Sequence, residues 1–91
     1  SFQDRDTELL FQGQKPRSIP PDIWRRGTRK LLILHAATKL SELRVPPGNR
    51  LEKLKGDRSG QHSIRINDQW RVCFEWREGN AYHVEITDYH S

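Results

Sequence analysis

From Ser63 to Trp76 the chain alternates apolar and polar side chains on both sides of a turn at Asn67-Asp68. Ile64 and Ile66 share one face, with Ser63 and Arg65 on the other. After the turn, Trp70, Val72, Phe74 and Trp76 point one way, and Gln69, Arg71, Cys73 and Glu75 the other. A period of two marks strands buried on one face. A short polar turn between two such runs predicts a hairpin. Glu78-Gly79-Asn80 predicts a second turn, followed by a strand from Ala81 to Asp88 with Tyr82, Val84 and Ile86 inward. Leu51 to Leu54 also alternates and predicts a short strand ahead of the turn Gly56-Asp57-Arg58-Ser59-Gly60.

The first half has a different period. From Ile23 the apolar stripe Trp24, Gly27, Leu31, Leu34, Ala37 and Thr38 predicts a main helix of about 16 residues, with Arg25, Arg26, Arg29 and Lys30 on its other face. Lys39 to Arg44 adds a turn with Leu40 and Leu43 inward, and Pro46-Pro47-Gly48 ends the helical half. A shorter helix is expected over Asp4 to Gln12, capped by Asp6 or Thr7 and stopped at Gly13. Leu10-Phe11-Gln12-Gly13 also resembles a protease-cleavage scar, but the apolar cluster is what a small domain needs for its first helix. Ser1-Phe2-Gln3 is a candidate first strand. Three prolines make Gln14 to Pro21 a loop, with Ser18 or Asp22 available to cap the main helix.

These elements predict an α+β fold, with N-terminal helices packed on one face of a small antiparallel sheet and the other face open to solvent. Parity puts Arg65, Arg71, His83, Glu85 and Tyr89 on the open face. Asp88 and His90 have the opposite parity, but at a strand end alternation no longer fixes direction. Trp70 is expected in the core.

Composition narrows the function. Ninety-one residues are expected to make one domain, residues 1–91. Residues are 33% hydrophobic and 31% charged, with a mean hydropathy of -0.93, as in a soluble globule. The longest apolar run, Leu31 to Leu34, is far below the ~20 residues of a membrane span. No signal peptide is evident, and the absence of an initiating methionine suggests that a residue or two precedes Ser1. Cys73 is the only cysteine, which excludes an intrachain disulfide and fits a reducing cytosol. The four histidines lack metal-ligand spacing, so neither a zinc site nor a cofactor is expected. A net charge of +4 with pI about 9.6 favours polyanionic or acidic partners.

Leu54-Lys55-Gly56-Asp57-Arg58-Ser59-Gly60, the run from Ser63 to Arg71, and the terminal Asp88-Tyr89-His90 together resemble the HigB branch of the RelE/ParE toxin superfamily. The likeness is detailed from about Arg44 onward, and the helical half agrees in layout. It implies a RelE-like fold and a bacterial, cytoplasmic type II toxin that enters the ribosomal A site and cuts messenger RNA. It further implies a HigA-type helix-turn-helix antitoxin, through which alone the toxin meets operator DNA.

Metal-free RNA cleavage needs a base for the ribose 2'-hydroxyl, a cation for the phosphorane and an acid for the leaving 5'-oxygen. Lys55 and Arg71 are assigned to the phosphate, with Arg65 beside them. Asp88, Tyr89 and His90 are the acid–base and orienting candidates, and His90 alone has an ordinary pKa near neutrality. Some relatives carry a histidine three residues before the Lys-Gly-Asp lysine, where this chain has Glu52. The base is therefore either Glu52 or a member of the tail. Lys53, Arg58 and His62 complete the expected RNA contacts. Three or four such contacts lose about 20–50-fold in affinity between 50 and 200 mM salt, so a larger scaffold has to supply the rest. Two competing readings are a ParE-like toxin that binds DNA gyrase without cleaving, and an inactive RNA- or protein-binding module.

Overall fold

A computed structural model describes residues 1–88. Helix α1 spans Arg5–Phe11 and helix α2 spans Trp24–Ala36. Strands β1 (Glu52–Lys53), β2 (His62–Arg65), β3 (Arg71–Arg77) and β4 (Asn80–Thr87) follow. They form one antiparallel sheet in the order β1-β2-β3-β4. The result is the α+β arrangement that the two sequence periods predict. Among the described residues, no helix is long and apolar enough to cross a membrane.

Local chemistry moves several boundaries. The cap of α1 is Asp4, not Asp6 or Thr7. The Asp4 carboxylate accepts from the Thr7 N–H at 3.3 Å and from Thr7 Oγ1 at 2.6 Å. Buried Thr7 Oγ1 in turn accepts from the Ile86 N–H at 3.0 Å, which ties α1 to β4. Asp6 instead accepts from Ser18, so Ser18 does not cap α2. Asp22 does not either: it lies in a single 3-10 turn, Pro21–Ile23, and the N-cap residue of α2 is Ile23. Ser1 to Gln3 make one parallel bridge, Phe2 to Val84, rather than a strand.

Helix α2 has 13 residues and ends at Ala36, short of the predicted length. The Glu42 carboxylate explains the stop, because it accepts from the backbone N–H groups of Thr38 at 2.7 Å and Lys39 at 3.0 Å. Those bonds hold the Glu42 carboxyl below its ordinary value. The chain then makes the predicted extra turn as a 3-10 helix, Leu40–Arg44, with Leu43 buried. At Gly27 a Cβ would sit 3.1 Å from Leu10 Cδ2 and 3.3 Å from Ile86 Cδ1. Glycine there allows α1, α2 and β4 to close on one another.

The sheet buries Ile64, Val72, Phe74, Val84 and Ile86 against Leu10, Leu31 and Leu34. Full burial of a side chain such as Phe74 contributes about 1.5–3 kcal/mol. Trp70 and Trp76 pack half-buried on this core.

Tyr82 corrects the parity reading. Cys73 pairs with Glu85 but Glu75 pairs with Tyr82, so β4 holds one extra residue, and His83 takes a left-handed φ of 53°. A bulge of this kind shifts every residue beyond it to the other face. Tyr82 therefore leaves the core, and its ring lies 4.4 Å from the Arg77 guanidinium. Ala81 takes the inward position opposite Trp76.

Candidate active site on the open face of the sheet

Register aligns Glu52, Ser63, Cys73 and Glu85 across the four strands on the face away from the helices. Arg65, Arg71 and Thr87 form the next row. Arg71 is the fixed point of this surface, only 13% exposed along its side chain. Its Nε donates to Ser63 Oγ at 2.8 Å, and its Nη2 donates to the Arg50 carbonyl at 2.8 Å. Glu52 Oε1 lies 3.7 Å from the same Nη2. Nη1 makes no hydrogen bond among the described residues. Three groups thus orient the guanidinium and leave one edge for an incoming anion.

The flanks of β1 build this clamp. Buried Asn49 donates from Nδ2 to the carbonyls of Leu43 at 3.1 Å and Val45 at 3.2 Å, and its Oδ1 accepts from Lys30. It fixes the 3-10 turn Pro47–Asn49, after which Arg50 enters the left-handed region (φ 44, ψ 58). That conformation costs an L-residue about 1–2 kcal/mol, and here its carbonyl reaches Arg71.

The other expected residues divide into two groups. Lys55 is exposed at the start of the Gly56–Arg58 turn, and its side chain makes no hydrogen bond or ion pair among the described residues. Arg58 crosses the open face, donating to Glu85 at 2.8 Å and Gln61 at 3.0 Å. Arg65 pairs with Asp68, whose side chain is 99% exposed. Asp88 stands one residue past Thr87, the partner of Arg71, and accepts from Gln69 Nε2 at 3.0 Å. Tyr89 and His90 lie outside the described residues.

His62 and Lys53 are not brought to this surface. They pair with each other, and His62 pairs with Phe74, so both belong to the helix-facing side. The His62 ring stacks on Phe74 with centroids 6.1 Å apart, and its Nδ1 is buried without a partner among the described residues. Burial first, then the charge of Lys53, pushes its pKa down. The signal was present in the sequence, since His62 is two residues before Ile64. Ser63, Arg50 and Asn49 are the contributors that motif reading missed. Among the described residues, no three His, Cys, Asp or Glu side chains gather as a metal-ligand set.

Cys73 lies fully buried under this surface. Burial raises its thiol from 9.0 to about 11, with Arg58 and Arg71 pulling it down and Glu85 pushing it up. The folded state therefore disfavours the thiolate. The corresponding stability is complete below about pH 9 and is lost as pH rises through about 11. Urea unfolding is expected to show this alkaline decline in the native chain and a smaller one in Cys73→Ala. Identical pH profiles for the two proteins would contradict the assignment.

Comparison with known proteins agrees with the fold. Residues 1–90 match the family described as RelE-like toxin of type II toxin-antitoxin system HigB. The chain is 46% identical over 86 residues to Toxin HigB-1 of Vibrio cholerae serotype O1, covering 93% of this chain and 90% of that protein. It is 33% identical over 90 residues to Endoribonuclease HigB of Proteus vulgaris, covering 99% and 97% respectively. An uncharacterized protein of Haemophilus influenzae is 33% identical over 91 residues. With a family match along nearly its whole length and two HigB relatives above 30% identity, this chain belongs to the HigB family of RelE-like toxins of type II toxin–antitoxin systems.

Proposed function

We propose that this toxin is a ribosome-dependent endoribonuclease that cuts messenger RNA in the A site and so inhibits translation. It acts in the bacterial cytoplasm and is neutralised by a HigA-type antitoxin. The observation that carries the reading is Arg71, an oriented guanidinium with Nη1 unengaged among the described residues and a carboxylate 3.7 Å away. Such a fork suits a phosphate, and it is already in place when negative charge develops.

In this mechanism Glu52 takes the 2'-hydroxyl proton, and the 2'-oxygen attacks the adjacent phosphorus. Arg71 and Lys55 stabilise the phosphorane, with Arg65 adding charge from the neighbouring strand. The phosphorus–5'-oxygen bond then breaks, and the tail of Asp88, Tyr89 and His90 supplies the proton to the leaving oxygen. The products are a 2',3'-cyclic phosphate and a 5'-hydroxyl. The test is expression in growing bacteria with mapping of transcript 5' ends. Cuts inside translated frames that vanish with Arg71→Ala are the expected result. Intact transcripts with gyrase-dependent DNA breaks would replace this reading with the ParE-like one, and intact transcripts without breaks would leave a binding module.

Ser63 acts in this scheme as a positioning residue for Arg71. Ser63→Ala is expected to lower kcat about tenfold, the worth of one charge-assisted hydrogen bond, with KM nearly unchanged. In an Arg71→Ala background it should have no further effect, because the two residues act as one unit. Additive losses in that double mutant would show that Ser63 does not work through Arg71.

A further inference from the structure

We propose that the cationic face of α2 is a second RNA-binding surface, outside the cleavage site, that grips the phosphate backbone of a folded RNA. The proposal rests on the reading of this toxin as an RNA-acting protein, and it concerns binding alone.

Helix α2 places Arg25, Arg26, Arg29 and Lys30 in its first two turns and contains no acidic residue. Arg25 and Arg29 are four apart, as are Arg26 and Lys30, and Arg26 and Arg29 are three apart. Each pair is a like-charge neighbour on the helix surface and destabilises the helix. The first turn is also where the helix dipole disfavours positive charge. Arg25, Arg26 and Arg29 are exposed, and their side chains make no hydrogen bond or ion pair among the described residues, with Asp22 or otherwise. A merely soluble face would mix both signs. Concentrated repulsion against local helix preference is the kind of inconsistency that functional surfaces carry.

Two observations favour RNA over an acidic protein. The first is continuity with the candidate site. Lys30 is held on Asn49, and its pKa is lowered by burial first, then by Arg29, Arg26 and Arg65. Arg65 is the cross-strand neighbour of Arg71. A row of cations therefore runs from α2 around the sheet end to the phosphate-holding arginine, with Asp68 beside Arg65 as a carboxylate along it. The second is residue type, since three of the four helix cations are arginines, whose planar forks match phosphate oxygens. Their Cβ atoms, about 5–6 Å apart along the helix, leave each side chain free to follow a backbone. These contacts supply what three or four site residues lack for binding at physiological salt.

The test is the triple variant Arg25→Gln, Arg26→Gln, Arg29→Gln, which keeps helix formers and touches no residue of the cleavage site. Binding is measured against salt for purified bacterial ribosomes and for a protein-free RNA hairpin stem, alongside binding to the antitoxin and thermal melting. The salt slope is expected to become shallower by about 0.9 per cation removed. Antitoxin affinity should stay unchanged, and the melting temperature should hold or rise as repulsion is relieved. An unchanged slope, a wild-type chain that binds neither RNA, a lower melting temperature with full RNA affinity, or a loss confined to the antitoxin would each overturn the proposal. Wild-type chain that binds both RNAs in the expected way but never cuts a message would sink the nuclease reading and leave this surface standing.

Discussion

Arg71→Ala is expected to lower cleavage on programmed ribosomes by about 10²–10³-fold, the usual cost of removing one preorganised transition-state contact. The reason lies in how completely the guanidinium is fixed. Ser63, the Arg50 carbonyl and Glu52 determine its orientation, so little reorganisation remains at the moment of reaction. Arg71→Lys is expected to do nearly as badly. An ammonium is a point charge and cannot engage both Ser63 and the Arg50 carbonyl while presenting a further donor edge. Single-turnover cleavage separates this effect from ribosome binding, and circular dichroism verifies the fold. A variant within tenfold of the native rate would remove Arg71 from the chemistry.

Asn49→Ala is expected to cost about 2–4 kcal/mol of stability, a large part of the roughly 5–15 kcal/mol typical of a domain. The substitution leaves the buried carbonyl of Leu43 and the part-buried carbonyl of Val45 without their donor and removes the acceptor of Lys30. Asn49→Asp tests which half matters. It keeps an oxygen for Lys30 but offers no donor to the two carbonyls, and it should be about as damaging as alanine. Urea unfolding with an unchanged m-value measures the loss. Both variants should also cut more slowly than their folded fraction explains, because Asn49 fixes the turn that delivers the Arg50 carbonyl. Native-like midpoints would show that the turn holds without Asn49.

Alternation makes the last three strands legible in the sequence alone, and the stripe through Gly27, Leu31 and Leu34 does the same for α2. Both signals come from burial, which repeats along an element and so is written many times over. The errors fall where one residue decides. The bulge at His83 sends Tyr82 out of the core, yet nothing in Tyr82-His83-Val84 breaks the pattern of a regular strand. Glu42 ends α2 through two hydrogen bonds that leave no mark on its period. The site divides in the same way. Parity alone put Arg71 on the open face, whereas its clamp depends on residues 8 to 21 positions away meeting in space. Ser63 reads as a bland strand residue and Arg50 as one more surface charge, because it is the backbone of Arg50 that matters. The helix-facing side of His62 was legible too, because it stands two residues before Ile64 on the same strand.

The clamp on Arg71 draws two of its three members from β1 and the turn before it, and β1 is only two exposed residues paired to a single neighbour. So small an edge opens by local fluctuation well below the free energy of global unfolding. The pieces that aim the guanidinium thus belong to the least cooperative part of the molecule, while Arg71 itself is rooted in its most protected strand. Amide exchange should be fast at Glu52 and Lys53 and slow along β3. On mild heating, cutting should fail at a temperature where the core is still intact, giving the toxin a functional melting point below its structural one.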